Sequence, residues 1–167
     1  MSEERSSGKY ITLTINGEKR PAWVESHHTL AEVLRNTFGL TGTKEACEEG
    51  ACGACTILID GVAQLACMLL ATEQTGKEIE TIEGLAANGE LHPIQEAWLQ
   101  EYAAQCGYCS AGMIMSTKSL LNKNPNPSQS EIREALGGNI CVCSNYEHIF
   151  AAVDKAAKIM RGEEQNE

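Results

Sequence analysis

Apolar and polar residues alternate along the opening part of this chain, whereas apolar residues recur at helical spacing along its second half. Tyr10-Ile-Thr-Leu-Thr-Ile15 has the period of a half-buried strand, Asn16-Gly17 is a strong two-residue hairpin turn, and Lys19 to Glu25 returns as a second strand. Thr29 and Glu32 make a capping box for a helix carrying Leu30, Val33, Leu34, Thr37 and Phe38 on one face, and Gly39 stops it. Farther on, Thr56 to Ile59 reads as a strand, Asp60-Gly61 as a second hairpin turn and Val62 to Leu65 as its partner. Glu78-Ile-Glu-Thr-Ile82 is strand-like as well.

Between Gly84 and Gly89 the period changes, and only helical segments follow. Pro93 suits the first turn of a helix with Ile94, Ala97, Trp98 and Tyr102 on one face. Met113, Ile114, Thr117, Leu120 and Leu121 form a second stripe, which ends before the Asn-Pro-Asn-Pro breaker at 124–127. Ser128 and Glu131 cap a third helix that stops at Gly137-Gly138, and Ser144 or Asn145 caps a fourth with Tyr146, Ile149, Phe150, Val153 and Ala157 inward. The predicted class is α+β: a β-rich unit over residues 1–84, then a four-helix unit over 85–167. Trp98, Met113, Met115 and Phe150 sit at helical spacing and read as packing.

Composition sharpens this picture at one point. A chain of 167 residues divided in two gives units too small to bury a generous core unaided. With 43% hydrophobic residues it is globular, and a net charge of −10, shared as −6 over 1–84 and −4 over 85–167, makes nucleic acid a poor partner. The stretch from Met1 to Lys9 is polar, without an apolar core or twin arginine, and no apolar run is long enough to span a membrane. The expected setting is cytoplasmic, with no membrane insertion.

Candidate chemistry resides in eight cysteines, which fall in two groups of four: Cys47, Cys52, Cys55 and Cys67, then Cys106, Cys109, Cys141 and Cys143. A reducing compartment argues against disulfides, and two four-thiolate metal sites supply the staples that small units need. Spacing alone leaves structural zinc open, since Cys-x2-Cys pairs also serve it. Three cysteines in one tight loop, Cys47-x4-Cys52-x2-Cys55, instead repeat the plant-type ferredoxin run and favour iron in a [2Fe–2S] cluster. Glycine and alanine fill most of that loop, so backbone N–H groups can turn inward to cluster sulfur, with Gly50 and Gly53 expected in unusual dihedrals. Strand, hairpin, helix, cysteine loop and hairpin then predict a β-grasp, ferredoxin-like arrangement for the first unit. In the second, the cysteine pairs lead into the second and fourth helices, whose N-termini would direct positive charge at an anionic cluster.

Cys47 to Cys67, followed by Gln105-Cys-Gly-Tyr-Cys-Ser-Ala-Gly112 and Gly138-Asn-Ile-Cys-Val-Cys-Ser-Asn-Tyr146, closely resembles the small iron–sulfur subunit of the molybdenum hydroxylases, the xanthine dehydrogenase family. The resemblance covers about Tyr10 to Met160. It implies a plant-type ferredoxin-like domain followed by an all-α domain, each with one [2Fe–2S] cluster, relaying electrons between a molybdopterin-containing large subunit and an FAD-containing medium subunit. By the same resemblance Cys106, Cys109, Cys141 and Cys143 ligate the cluster nearer molybdenum. Cys47, Cys52, Cys55 and Cys67 ligate the one nearer flavin, and Gln105 and Cys143 lie against the pterin.

Three positions depart from the family pattern: Val142 stands where an arginine is usual, Ser144-Asn145 replaces Thr-Gly, and Ser110-Ala111 replaces Thr-Pro. No residue reads as a substrate base or nucleophile, the four histidines being scattered, so the expected role is that of a non-catalytic subunit of an oxidoreductase. A free-standing two-cluster carrier or sensor is the alternative from another class, and a zinc-stapled interaction module the third.

Overall fold

The structure is a computed structural model that describes residues 8–163. The polar opening stretch read above lies, up to residue 7, outside the described residues. Strands β1 (Gly8–Ile15) and β2 (Glu18–Glu25) pair antiparallel in register from Gly8↔Glu25 to Ile15↔Glu18. Their turn takes the predicted form, with Asn16 at φ 52° and Gly17 at φ 78°, the positive pair that matches strand twist. Ile11, Leu13 and Ile15 of β1 and Ala22 and Val24 of β2 face inward, as the alternation requires.

Next comes α1 (Leu30–Glu32), which widens into a π-helical stretch over Val33–Thr37. Thr29 Oγ1 accepts from the Glu32 N–H while Glu32 Oε2 accepts from the Thr29 N–H at 2.7 Å, so the expected capping box forms. The extra residue per turn is the departure from the sequence reading. Leu30, Ala31, Val33 and Leu34 are buried and Phe38 is half-buried, whereas Thr37, read on the same face, is exposed. The Thr29 N–H and hydroxyl hold the Glu32 carboxyl below its ordinary pKa despite partial burial. A depressed carboxylate stabilises the fold above its unfolded pKa, and that contribution is lost as pH falls through the folded value. Thr29→Ala should therefore cost about 1 kcal/mol at neutral pH and flatten the acid limb of stability; an unchanged limb in a pH series of thermal melts would contradict the cap.

Strands β3 (Thr56–Ile59), β4 (Val62–Leu65) and β5 (Glu78–Glu80) complete one five-stranded sheet in the order β2-β1-β5-β3-β4. β5 runs parallel to β1 and antiparallel to β3, and is shorter than the sequence predicted because Thr81 turns away to bond Asn16 through its N–H and hydroxyl. β3 is buried at all four positions. Ile57 and Ile59 join the core beneath α1, and Leu58 joins a second core made by the helices, so the sheet is sandwiched and β3 shows no alternation.

Four longer helices follow: α2 (Pro93–Gln100), α3 (Ser110–Lys123), α4 (Gln129–Leu136) and α5 (Tyr146–Met160). Ile94, Trp98, Met113, Met115, Ile132, Leu136, Ile149 and Val153 fill their shared core, with Phe150 half-buried against it, bearing out the packing role given to Trp98, Met113, Met115 and Phe150; Tyr102, read on the inner face of α2, instead lies past the helix end and is 77% exposed. Ser128 and Glu131 form the expected box. α2 has a box that the sequence did not disclose, because His92 rather than a hydroxyl residue caps it with Gln95. α3 also docks on the sheet edge, where Ser119 Oγ accepts from the Ala63 N–H at 3.1 Å. Among the described residues no helix is long and apolar enough to cross a membrane.

Candidate metal centres

None of the eight cysteines is in a disulfide, and the fold gathers them into the two groups that spacing suggested. In the first, Cys55 Sγ and Cys67 Sγ are 3.3 Å apart, both buried, Cys55 directly before β3 and Cys67 in the 3-10 turn Ala66–Met68. Cys47 and Cys52 lie on the outer side of the same loop, and Cys47 hydrogen-bonds to Cys52. The two sides differ electrostatically. The Glu49 N–H, helped by Cys52, Ala51 and their amides, lowers the Cys47 thiol to about 7, whereas burial, with neighbouring Cys67 and Cys52, pushes Cys55 up to about 12.

Those amide donors arise from the loop's composition. Gly50 and Gly53 adopt φ 79° and 70°, as expected, and Glu48 joins them at φ 56°. These left-handed residues are interspersed with the residues Glu49, Ala51 and Cys52, whose N–H groups turn toward Cys47, a concavity that suits an anion.

The second group is built at the helix joints. Cys109 immediately precedes α3, and Cys141 and Cys143 sit just before α5. Burial, then Cys141, pushes the Cys109 thiol up to about 12, while the Tyr108 N–H and Cys143 lower exposed Cys106. Gly107 at φ 81° and Ser144 at φ 57° make the turns here, a backbone role that the sequence reading assigned to neither. Tyr146 holds the 139–141 segment, its hydroxyl accepting from the Cys141 N–H at 2.9 Å and donating to the Asn139 carbonyl at 3.3 Å.

Gln105 is exposed beside this group, and its Nε2 donates to Asn145 Oδ1 at 3.3 Å. Asn145 in turn donates from Nδ2 to the Tyr102 carbonyl at 2.9 Å. Neither Ser144 nor Asn145 caps α5 with its side chain, a correction to the sequence reading; the Asn145 amide is used up in bracing the α2–α3 turn.

A polar joint connects the two groups. The Ile140 N–H, one residue before Cys141, donates to the Cys52 carbonyl at 2.9 Å. Buried Asn139 donates from Nδ2 to the Gly53 carbonyl at 2.9 Å and accepts from Ser116 Oγ at 2.8 Å. No protein side chain other than cysteine is needed to complete either quartet. Each combines thiols, a buried floor and inward amides, and Ser110 Oγ, directly after Cys109, is a buried donor with no partner among the described residues. This donor set fits a thiolate-bound, anionic iron–sulfur group.

Comparison with known proteins decides between iron and zinc. Residues 5–99 match the model of a 2Fe-2S iron-sulfur cluster binding domain, and residues 81–154 that of a [2Fe-2S] binding domain. The nicotine 6-hydroxylase small subunit of Paenarthrobacter nicotinovorans is 48% identical over 86% of this chain and 86% of its own. The chain is a small [2Fe–2S] subunit of the molybdenum hydroxylase family. It is thus the electron-transfer subunit of an oxidoreductase rather than its catalytic one, and belongs to a multi-subunit complex. The nicotinate dehydrogenase small FeS subunit of Eubacterium barkeri is 44% identical over 89% of this chain and 94% of its own. Quinoline 2-oxidoreductase from Pseudomonas putida 86 superposes with a TM-score of 0.88 at 44% identity, covering 95% of this chain and 100% of the matched one. In the aldehyde oxidoreductase from Desulfovibrio desulfuricans ATCC 27774 the match, with a TM-score of 0.90 at 40% identity, spans 94% of this chain but only 18% of that one.

Proposed function

We propose that Cys47, Cys52, Cys55 and Cys67 hold one [2Fe–2S] cluster, that Cys106, Cys109, Cys141 and Cys143 hold the other, and that this subunit relays electrons between a molybdopterin-containing large subunit and an FAD-containing medium subunit. When bound, each cluster takes up and gives back one electron at a time. The observation that carries the reading is the hydrogen bond from Ile140 to Cys52, which brings the backbone of one quartet into direct contact with that of the other. Buried Cys55, Cys67 and Cys141 form the inner walls, and the exposed Cys106 edge supplies a terminal at the surface. The helix N-termini of α3 and α5 stabilise negative charge at the second quartet. The proposed division into two domains, 1–84 and 85–167, is supported by the presence of two cores, although Leu58, with partly buried Ala63 and Ile82, packs from the first unit into the helical core.

The second quartet faces the pterin side in this reading, with Gln105 and Cys143 nearest to it. Its surroundings support a partner there: Val142 is 92% exposed, and Tyr102, Ile140 and Leu99 are exposed apolar neighbours in the chain segments around it. Val142→Asp should weaken binding of the large subunit at least about ten-fold, as loss of a central apolar contact does, while leaving the medium subunit bound. Co-purification of the complex from the cytoplasm tests both points. A chain that binds neither subunit supports the free-standing carrier instead.

Val142 also tunes charge. With an arginine there, a fixed positive charge would stand beside Cys141 and Cys143, so Val142→Arg should raise the potential of the second cluster. A redox titration in which the potential is unchanged or lower contradicts this.

A further inference from the structure

The cysteine loops are joined at a further place, away from the bonds of Ile140 and Asn139. Tyr108 lies between Cys106 and Cys109, and its hydroxyl donates to the Glu45 carbonyl at 2.5 Å, two residues before Cys47. The phenol thus reaches from the second quartet to the lead-in of the first. It connects different cysteines from the Ile140–Cys52 bond, which acts at the Cys141 side.

Both ends of this strap are held. Arg35 Nε pairs with Glu45 Oε2 at 3.1 Å, and Arg35 Nη1 donates to the carbonyls of Thr41 and Thr43 at 3.1 and 2.9 Å. These partners fix the segment that presents the acceptor. Lys44 Nζ lies 5.9 Å from the centre of the Tyr108 ring and donates to the Thr41 carbonyl, which places a cation against the ring's electron-rich face. On the other side the left-handed turn at Gly107 sets the direction in which Tyr108 leaves its loop. A ring that served only for packing would need no hydroxyl, and this one is half exposed, so packing is not its main use.

Bonds gathered at one edge, as those of Ile140 and Asn139 are, fix a distance but leave a hinge. Two bonds at separate edges fix orientation as well. We propose that Tyr108 is a positioning residue for electron transfer between the two clusters: its bond to Glu45 locks the Cys47 edge of one quartet against the Cys106–Cys109 edge of the other. This rests on the reading that each quartet holds a cluster. The step it serves moves one electron from a reduced cluster to an oxidised one, so that one loses what the other gains, and no proton passes through the phenol.

The test uses the full chain loaded with iron and sulfide. Iron content is measured first, then the magnetic splitting between the two clusters in the fully reduced protein, and deuterium uptake at residues 45–47. Tyr108→Phe should keep the iron, narrow or blur the splitting, and speed uptake at 45–47 by about two- to ten-fold, the range one neutral hydrogen bond supplies. Replacing Tyr108 by p-aminophenylalanine, which returns a donor, should restore both readouts. If Tyr108→Phe loses iron, the donor-bearing variant decides: recovery of iron and splitting supports the strap, and failure to recover overturns it. A splitting that is absent in the wild type or identical in Tyr108→Phe, with unchanged uptake, also overturns it while leaving the relay reading intact. A wild-type chain that holds no iron sinks the relay reading itself.

Discussion

Gly112→Ala should separate the two halves of the molecule where they meet most closely. A β-carbon added at Gly112, in the first turn of α3, would lie 2.3 Å from the Gly53 carbonyl oxygen and 3.2 Å from that of Ala54. Those atoms are backbone of the first cysteine loop, so no side chain can swing aside. Gly53 is equally confined from the other direction, with the Gly138 carbonyl 2.3 Å from the place its own β-carbon would take. Overpacking of this kind costs about 3 kcal/mol, which for a chain of this size is roughly 6–12 °C in melting temperature. Gly138→Ala, at a position with nothing within 4 Å and an ordinary dihedral, is the matched control and should change stability by less than about 0.5 kcal/mol. Equal melting curves for the two variants would show that α3 and the cysteine loop do not touch as described.

Loss of one inner cysteine should remove one cluster and leave the other. Cys67→Ala takes a buried thiol from the first quartet without touching the polar joint at Asn139 and Ile140. Iron should fall to about half, one of the two spectroscopic signals should vanish, and Cys141→Ala should remove the complementary signal. Because binding free energy at such a site is also folding free energy, each variant should lose stability mainly in its own core: the sheet and α1 for Cys67, the helices for Cys141. Either variant breaks the relay, so electron delivery through the assembled complex should fall to background in both. A variant that loses both signals at once would mean that the two quartets are not separate sites.

Much of this was legible in the chain because local rules and global packing agree. Both hairpins are specified by Asn16-Gly17 and Asp60-Gly61, whose positive dihedrals are those the turn type demands. Two of the helix starts follow from Thr29 and Ser128 with an acidic residue three positions on. The cysteine spacing was sufficient to group the thiols, since each quartet combines a tight local turn with one or two residues returned by a neighbouring element. The π-helical widening over Val33–Thr37 has no signal in the apolar spacing, which reads as an ordinary helix. The other departures each have a physical reason. His92 accepts from an amide through Nδ1, a capping role its residue type seldom announces. Asn145 has the composition of a cap, but a competing carbonyl at Tyr102 and the amide of Gln105 take its side chain. Asn139, the hub of the joint, and Tyr108, the strap, act across 86 and 63 residues of sequence, and only the folded chain brings their partners within reach.

The most direct measurement of the central claim is the metal and sulfide content of the isolated chain, taken with its electron paramagnetic resonance spectrum during stepwise reduction. Two four-cysteine centres in series predict about four irons and four acid-labile sulfides per chain, and two distinct signals that appear at separate potentials. A colourless chain with bound zinc, or one signal accounting for all the iron, would contradict it.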